Sequence, residues 1–163
     1  MCRLSPLNRV RPRCRPWEVI GVTETEGDRA EWSFPALPGS VRSARHAVRD
    51  VLHHWGFDAA VGDVAVLLVS ELVTNSLRYA SGPIGVRLVR PHPDGAGPEV
   101  RADGQGLLVE VSDPVPDPPT ERTAGPEDES GRGLQLLACS TRRWGTRRGK
   151  NGKTVWFELA LPG

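Results

Sequence analysis

The sequence predicts an α+β fold, a two-layer sandwich in which helices lie on one face of a mixed, mostly antiparallel sheet. Two long segments repeat apolar residues at helical spacing, and several shorter segments have the apolar patterns of strands. The 163 residues are enough to bury a core within one domain. The expected strands span residues 30–34, 84–89, 107–112, 143–148 and 154–161, and the expected helices span residues 40–55, 58–80 and 134–142.

The first strand and the first helix are recognised from their composition and their end residues. Residues 30–34 are expected to form a short edge strand. Ser40 has a hydroxyl that can cap the helix that follows, whose buried side is apolar and whose outer side carries arginine. Gly56 is expected to end that helix, because glycine readily adopts the conformation that follows a helix C-terminus.

The second helix is the most informative element of the sequence. It begins at Asp58 or at Gly62-Asp63, and it is apolar on every side over residues 64–69, so it should be largely buried. Glu71 and Asn75 follow one turn apart on one stripe of this helix. Buried polar groups need partners, so the stripe is either a helix end that emerges into water or a functional site.

The C-terminal half supplies most of the strands. Ile84, Val86 and Leu88 alternate with other residues as in a strand with one buried face, and residues 107–112 form the apolar run of a central strand. Residues 114–130 are rich in proline and acidic residues and show no periodicity. A loop of that length within a compact domain is often a functional lid.

Composition and charge exclude several classes of protein. The net charge is +1, which gives no general field to attract nucleic acid or an acidic membrane, and we expect neither as a partner. No uninterrupted apolar run approaches the length of a membrane span. Three cysteines without metal-ligand spacing fit a cytoplasmic location. Residues 1–29, with an Arg/Pro-rich start, are predicted to be a disordered leader before a domain of residues 30–163.

Four motifs occur in order along the chain. They are Glu71-x-x-x-Asn75 on a helix, Asp113 at the end of an apolar strand, Gly131-Arg132-Gly133 opening a helix, and Gly152-Lys153-Thr154 opening the last strand. The ordered set resembles the ATP-binding domain of the GHKL superfamily, most closely the bacterial anti-sigma-factor serine/threonine kinases and related ATP-binding regulatory proteins. The resemblance covers residues 31–161. It implies a Bergerat-type ATP-binding fold with ATP and Mg2+ as cofactors.

The resemblance also implies a role for individual residues. Asn75 is the magnesium ligand, and Glu71 is the general base that orients or deprotonates the attacking nucleophile. Asp113 accepts a hydrogen bond from the exocyclic amine of adenine, where guanine has an oxygen instead. Thr154 supplies a hydroxyl that helps to hold the adenine edge. The other cofactor-binding residues are Arg78, Gly131, Arg132, Gly133 and Leu134, and the glycines open a helix whose first amides can face phosphate oxygens.

Two of these assignments have structural alternatives, and one position departs from the family pattern. Glu71 could form an ion pair with Arg78 or with an arginine of the first helix, and Asp113 could begin a turn before proline. The family places glycines two and four residues after the aspartate, where this chain has Val115 and Asp117. The departure bears on lid motion, on nucleotide affinity and on whether kinase activity is retained.

Three functions fit this pattern. The first is an ATP-dependent serine/threonine kinase that phosphorylates a protein antagonist and binds a sigma factor, with a homodimer implied by the resemblance. The second is a non-catalytic module that senses nucleotide and acts by binding a protein. The third, the catalytic half of a histidine kinase, is disfavoured because the chain lacks a long dimerisation helix with a phospho-accepting histidine. Glu71 and Asn75 favour the first function, and the altered glycines favour the second.

Overall fold

Six antiparallel strands and three helices make up the part of the chain that the structure describes. The computed structural model describes residues 22–79, 82–91, 106–114, 132–149 and 152–162, and the backbone alone of residues 22–26 and 132. The strands are β1 (Val22–Glu26), β2 (Arg29–Phe34), β3 (Ile84–Val89), β4 (Gly106–Asp113), β5 (Arg143–Gly149) and β6 (Gly152–Ala160), and the helices are α1 (Gly39–His54), α2 (Ala59–Tyr79) and α3 (Arg132–Ser140).

The strands form one sheet in the order β1-β2-β3-β4-β6-β5, and every neighbouring pair is antiparallel. The predicted α+β sandwich is therefore confirmed, with an antiparallel sheet in place of a mixed one. The last strand, β6, inserts between β4 and β5. Asp113 at the end of β4 consequently lies directly opposite Lys153 at the start of β6. The second and fourth sequence motifs meet at this edge of the sheet.

The core lies between the sheet and the helices α1 and α2. On β3, Ile84, Val86 and Leu88 are fully buried, and the residues between them point to the other face, as the alternation predicted. Val48 and Leu52 of α1 join the same cluster. The second helix contributes seven buried residues, more than any other helix described here. Its position is therefore fixed on two sides, by α1 and by the sheet.

Helix α1 begins differently from the prediction. Ser40 lies inside the helix rather than before it, and its hydroxyl donates to the carbonyl of Pro35 at 2.6 Å. The helix starts at Gly39 without a hydrogen bond from a capping side chain. The hydroxyl is thus used to hold the preceding loop against the helix. At the other end Gly56 has a φ of 76° and its amide donates to the carbonyl of His53, as expected for a terminating glycine.

Helix α2 begins at the first of its two predicted positions. The carboxylate of Asp58 accepts a hydrogen bond from the amide of Ala60 at 2.7 Å, which caps the helix and excludes a start at Gly62-Asp63. Its 21 residues include an 18-residue window with a mean hydropathy of 1.5, so the helix is long and apolar enough to cross a membrane. A core helix of a soluble domain meets the same criterion, and α2 is packed in the core.

The sheet begins earlier in the chain than the sequence predicted. The domain boundary was expected at residue 30, yet Val22–Glu26 forms β1 and pairs with β2. Strand β2 is therefore not an edge strand within the described sheet. Val22, Thr23 and Thr25 are β-branched residues that favour strands, but the segment has no run of bulky apolar residues and lies in the part of the chain that was predicted to be disordered. Residues 1–21 of the predicted leader lie outside the described residues.

The face of the sheet that points away from the helices carries ion pairs. Glu110 accepts a hydrogen bond from Arg87 at 2.8 Å and also pairs with Arg147 of β5. Glu158 pairs with Arg143 at 2.7 Å. Both glutamates are buried although they lie on this outer face, because arginine side chains cover them. The two carboxylates thus connect the edge strand β5 to the centre of the sheet.

Candidate functional site

The last turns of α2 present two polar groups that the helix itself does not engage. Ser70 and Thr74 donate their hydroxyl protons to carbonyls four residues earlier, at 2.8 and 2.7 Å. Their hydroxyls are thereby bonded within the helix. Glu71 and Asn75 are half-buried on the adjoining stripe and one turn apart, as predicted. This carboxylate and this amide are the side chains that α2 offers to a ligand.

Helix α3 starts directly against this pair. A Cβ atom placed on Gly133 would lie 3.2 Å from Nδ2 of Asn75 and 3.8 Å from Oε2 of Glu71. A side chain at residue 133 would therefore crowd Asn75, and glycine lets the first turn of α3 pack closely against these two groups. The first amides of a helix have no partner within the helix, and they can bind an anion such as phosphate. The structure thus brings the first and third motifs together.

Asp113 lies at the other end of the same turn of α2. Its side chain faces the helices, it is 5% exposed, and it accepts a hydrogen bond from the hydroxyl of Ser76 at 2.7 Å. Ser76 is the neighbour of Asn75 in the chain, so one helical turn contributes to both ends of the site. The interpretation of Asp113 as only a turn residue before Pro114 does not explain this buried bond to α2.

Lys153 is a member of the site that the sequence did not assign. It lies opposite Asp113 in the β4–β6 ladder, its side chain is 9% exposed, and its Nζ is 3.8 Å from Oδ2 of Asp113. The alternation of β6 could have revealed this position, because Val155 and Phe157 have the same parity and lie in the core. This lysine was given no role in the sequence-based prediction beyond its place in the fourth motif.

The side chain of Thr154 points to the opposite face of the sheet. Its hydroxyl forms a hydrogen bond of 2.8 Å with that of Ser112, its partner in the ladder. Successive residues of a strand point to opposite faces, so the side chains of Thr154 and Asp113 leave the sheet on opposite sides, although both residues line the pocket at the strand ends. The structure does not bring these two predicted adenine contacts together through their side chains.

An open pocket of about 430 Å3 lies where these strands end. It is lined by Pro83, Gly85, Ser112, Asp113, Pro114, Gly149, Gly152, Lys153 and Thr154. Gly152 lies so close to the backbone of Asp113 and Pro114 that a Cβ atom there would clash with both residues. The glycine therefore allows β6 to approach the end of β4, which sets Lys153 beside Asp113.

The remaining predicted residues have less defined places. Arg78 is exposed near the end of α2, and Leu134 is half-buried and packs against the core. Arg132 is the first residue of α3, whereas Gly131 and residues 115–130 lie outside the described part of the chain. Within the described ranges no group of three or more His, Cys, Asp or Glu could hold a metal. A magnesium ion here would depend on the amide oxygen of Asn75 and on phosphate oxygens.

Comparison with known proteins agrees with this geometry. A sequence model of the histidine kinase-like ATPase domain matches residues 34–159, about three quarters of the chain. The match spans Glu71, Asn75, Asp113, Gly133 and the start of β6. No curated protein matches the chain.

Among solved structures, the fold is similar to the crystal structure of the RsbU and RsbW domains of Rv1364c from Mycobacterium tuberculosis. The TM-score is 0.59 with 18% sequence identity, and the match covers 83% of this chain. It covers 33% of the other chain, so this protein spans about a third of the length of its neighbour. At this level of identity the likeness establishes the fold.

Proposed function

Because the chain belongs to the histidine kinase-like ATPase domain family, we propose that it is an ATP-dependent protein serine/threonine kinase with a regulatory role. It binds ATP with Mg2+ and phosphorylates an antagonist protein. It also binds a sigma factor, and the antagonist controls when that partner is released. The family match accounts for ATP. The phosphoryl acceptor and the protein partners are inferred from the order of the four motifs and their likeness to anti-sigma-factor kinases.

One observation carries the proposal: Gly133 lies within van der Waals reach of both Glu71 and Asn75. A base, a side-chain amide and the first turn of a helix therefore lie side by side. Phosphoryl transfer depends mainly on positioning and on stabilising charge, and these three groups supply both. An ion pair between Glu71 and Arg78 would not explain why residue 133, beside Glu71 and Asn75, is a glycine.

The chemistry of transfer follows from these groups. Glu71 accepts the proton of the attacking serine or threonine hydroxyl, whose oxygen forms a bond to the γ-phosphorus. The bond from the γ-phosphorus to the bridging oxygen breaks, and ADP leaves with that oxygen. Asn75 would hold the metal through its amide oxygen, and the first amides of α3 would be available to the phosphates. When bound, Mg2+ neutralises charge on the phosphate oxygens.

The opposite end of the site selects the base. Asp113 is buried at the rim of the pocket and is oriented by the bond from Ser76. Its carboxylate can accept a hydrogen bond from the exocyclic amine of adenine, whereas the oxygen of guanine at that position would be repelled. Ser76 and Asn75 are adjacent in α2, so the adenine end and the phosphate end are held by one rigid element.

The test is transfer of label from γ-labelled ATP to purified candidate antagonist proteins. We expect a phosphoserine or phosphothreonine product that depends on Mg2+ and is lost in Glu71→Gln. Nucleotide affinity, measured in parallel by calorimetry, should persist in that variant. A sigma factor that co-elutes with the protein in ATP and is released on adding the antagonist would support the regulatory part.

The second candidate function is the binding-only module that senses nucleotide. Val115 and Asp117 at the usual glycine positions favour it, because they alter the segment that follows Asp113. Tight binding of ATP-Mg without transfer to any candidate, combined with nucleotide-dependent binding of a protein partner, would make this module the better description.

A further inference from the structure

Lys153 is a buried cation in a position where a structural role alone does not account for it. Lysine is rarely buried unless it is paired, because the ammonium loses its water. Here the ammonium lies 3.8 Å from Oδ2 of Asp113, within range of an ion pair but beyond a hydrogen bond. The carboxylate already accepts a closer bond from Ser76 at 2.7 Å. The ammonium and the carboxylate therefore attract each other electrostatically but do not form a hydrogen bond with each other.

The ammonium retains its hydrogen-bond donors. Within the ranges that the structure describes, the ammonium of Lys153 makes no hydrogen bond, and its ion pair is with Asp113. An ammonium has three N–H groups and no acceptor. Lys153 and Asp113 both line the pocket at the strand ends. The pocket thus contains a donor beside an acceptor, both attached to neighbouring strands and held in register by the ladder.

Adenine has the complementary arrangement on its Watson–Crick edge. Its exocyclic amine is a donor, and the adjacent ring nitrogen N1 is an acceptor. Guanine reverses both groups, with an oxygen at position 6 and a protonated N1. We propose that Lys153 is a specificity-determining residue of the nucleotide site, donating to N1 of adenine while Asp113 accepts from the amine. This inference rests on the proposed function, because it requires that ATP binds in this pocket.

The arrangement also predicts rejection of the wrong base. Guanine would place its oxygen against the carboxylate and its N1 proton against the ammonium, so both contacts become repulsive. A site that hydrogen-bonds its ligand rejects analogues that leave its buried polar groups unpaired. A lysine that served only to neutralise Asp113 would affect stability but would not distinguish nucleotides by the atom at position 1.

The experiment compares ATP with 1-deazaadenosine triphosphate, in which a C–H group replaces N1. Calorimetry on the wild-type protein should show a dissociation constant about tenfold or more higher for the deaza compound, the effect of one hydrogen bond to a charged group. Lys153→Met should bind ATP as weakly as the wild type binds the deaza compound, and should bind both compounds alike. Lys153→Arg, which keeps donors and charge, should retain part of the preference.

The matched control is Arg148→Gln. Arg148 is exposed and lies directly opposite Lys153 in the β5–β6 ladder. The substitution therefore removes a nearby positive charge without changing Asp113 or Lys153. The variant's preference for ATP over the deaza compound should equal that of the wild type. Lowered ATP affinity in both variants with the preference intact would show a general charge effect and overturn the inference.

Wild-type protein that binds both compounds equally would also overturn the role of Lys153, and this comparison remains decisive even if Lys153→Met fails to fold. If the wild-type protein binds both compounds equally but still binds ATP and transfers phosphate, the proposed function stands and only the role of Lys153 is wrong. Wild-type protein that binds no ATP at all would remove the proposed function together with the inference.

Discussion

The two ends of the candidate site differ in how deeply their side chains are buried and in how many bonds they make to other parts of the fold. At the adenine end, Asp113 and Lys153 are buried, paired across two strands and connected to α2 through Ser76. At the proposed phosphate end, Glu71 and Asn75 are half-buried and lie beside Gly133, where a Cβ atom would come within 3.2 Å of Asn75. The adenine end is assembled when the sheet forms. In the proposed function, the partners of the groups at the phosphate end would arrive with the ligand.

This difference predicts which changes affect stability and which affect function. Breaking a buried ion pair is costly, because the remaining charge has neither its partner nor water. Changing a half-buried side chain at the rim has a small effect on folding. Substitutions at the adenine end should therefore lower the free energy of unfolding and nucleotide affinity together. Substitutions at the phosphate end should separate the two quantities.

The largest expected effect is on catalysis in Glu71→Gln. The amide keeps the shape of the side chain but cannot accept the proton, so transfer should fall about a hundredfold or more. The melting temperature and ATP affinity should stay near wild-type values. Asn75→Ala is the companion change, and it should weaken ATP-Mg binding as well as transfer because the metal loses its ligand. A Glu71→Gln protein that unfolds would identify the carboxylate as a structural ion-pair partner.

Gly152→Ala should have the next largest effect, and it acts on the fold. The added methyl group would meet the backbone of Asp113 and Pro114, which cannot move aside as a flexible side chain can. We expect a loss of about 3 kcal/mol in the free energy of unfolding by urea denaturation. Gly62→Ala in α2 is a matched control, since a Cβ atom there meets nothing within 4 Å. Equal stability of the two variants would contradict the close approach of β6 to β4.

Asp113→Asn should lower stability and affinity by similar amounts, about 2 kcal/mol each. The amide can still accept the bond from Ser76, but it leaves Lys153 without its counter-charge and turns one acceptor into a donor facing the adenine amine. Denaturant titration and calorimetry measure the two quantities on the same protein. Unchanged ATP affinity would remove Asp113 from the site, even if stability fell.

Gly133→Ala should move stability and affinity in opposite directions. Alanine is a better helix former than glycine by up to about 1 kcal/mol, so the free energy of unfolding should hold or rise. The methyl group would narrow the space beside Asn75, where the nearest atom is 3.2 Å away. ATP-Mg affinity should fall about tenfold by calorimetry. A variant that binds ATP-Mg as well as the wild type would mean that phosphate does not approach the start of α3.

Thr154→Val should have the smallest effect. It removes the hydroxyl pair with Ser112 on the outer face, at a cost of about 1 kcal/mol or less in stability. Because the hydroxyl of Thr154 points to the face opposite the side chain of Asp113, ATP affinity should change less than about twofold. A marked loss of ATP affinity would restore Thr154 to the adenine edge and argue against the assignment of Lys153.

The parts of the fold that sequence predicted are those set by local pattern. The alternation of β3 and the apolar run of α2 each placed an element, and the spacing of Glu71 and Asn75 placed both on one stripe. The resemblance to the GHKL superfamily is confirmed by the family match. Asp58 was one of two candidate caps, and the hydrogen bond to Ala60 decides between them.

The parts that were missed depend on contacts between distant segments. Strand β1 forms because β2 pairs with it, and its five residues have no pattern strong enough to predict that pairing. Ser40 was predicted to be a cap, but its hydroxyl donates instead to the carbonyl of Pro35 in the loop before α1. Lys153 was given no role, although the alternation of β6 places it on the core side; its position beside Asp113 follows from the insertion of β6 next to β4, which the sheet order reveals.

The order of the sheet also has a consequence for how this protein behaves at high concentration. Strand β5 is at the margin of the sheet, and a marginal strand can recruit the backbone of another molecule into a growing aggregate. Arg143 and Arg147 are anchored there by ion pairs to the outer face, and Arg148 is exposed beside them. The exposed positive charge of Arg148, beside two arginines that cover this edge, disfavours pairing with a second copy of the same strand. Colloidal stability is thus built into the edge, and added salt should weaken it by screening that charge.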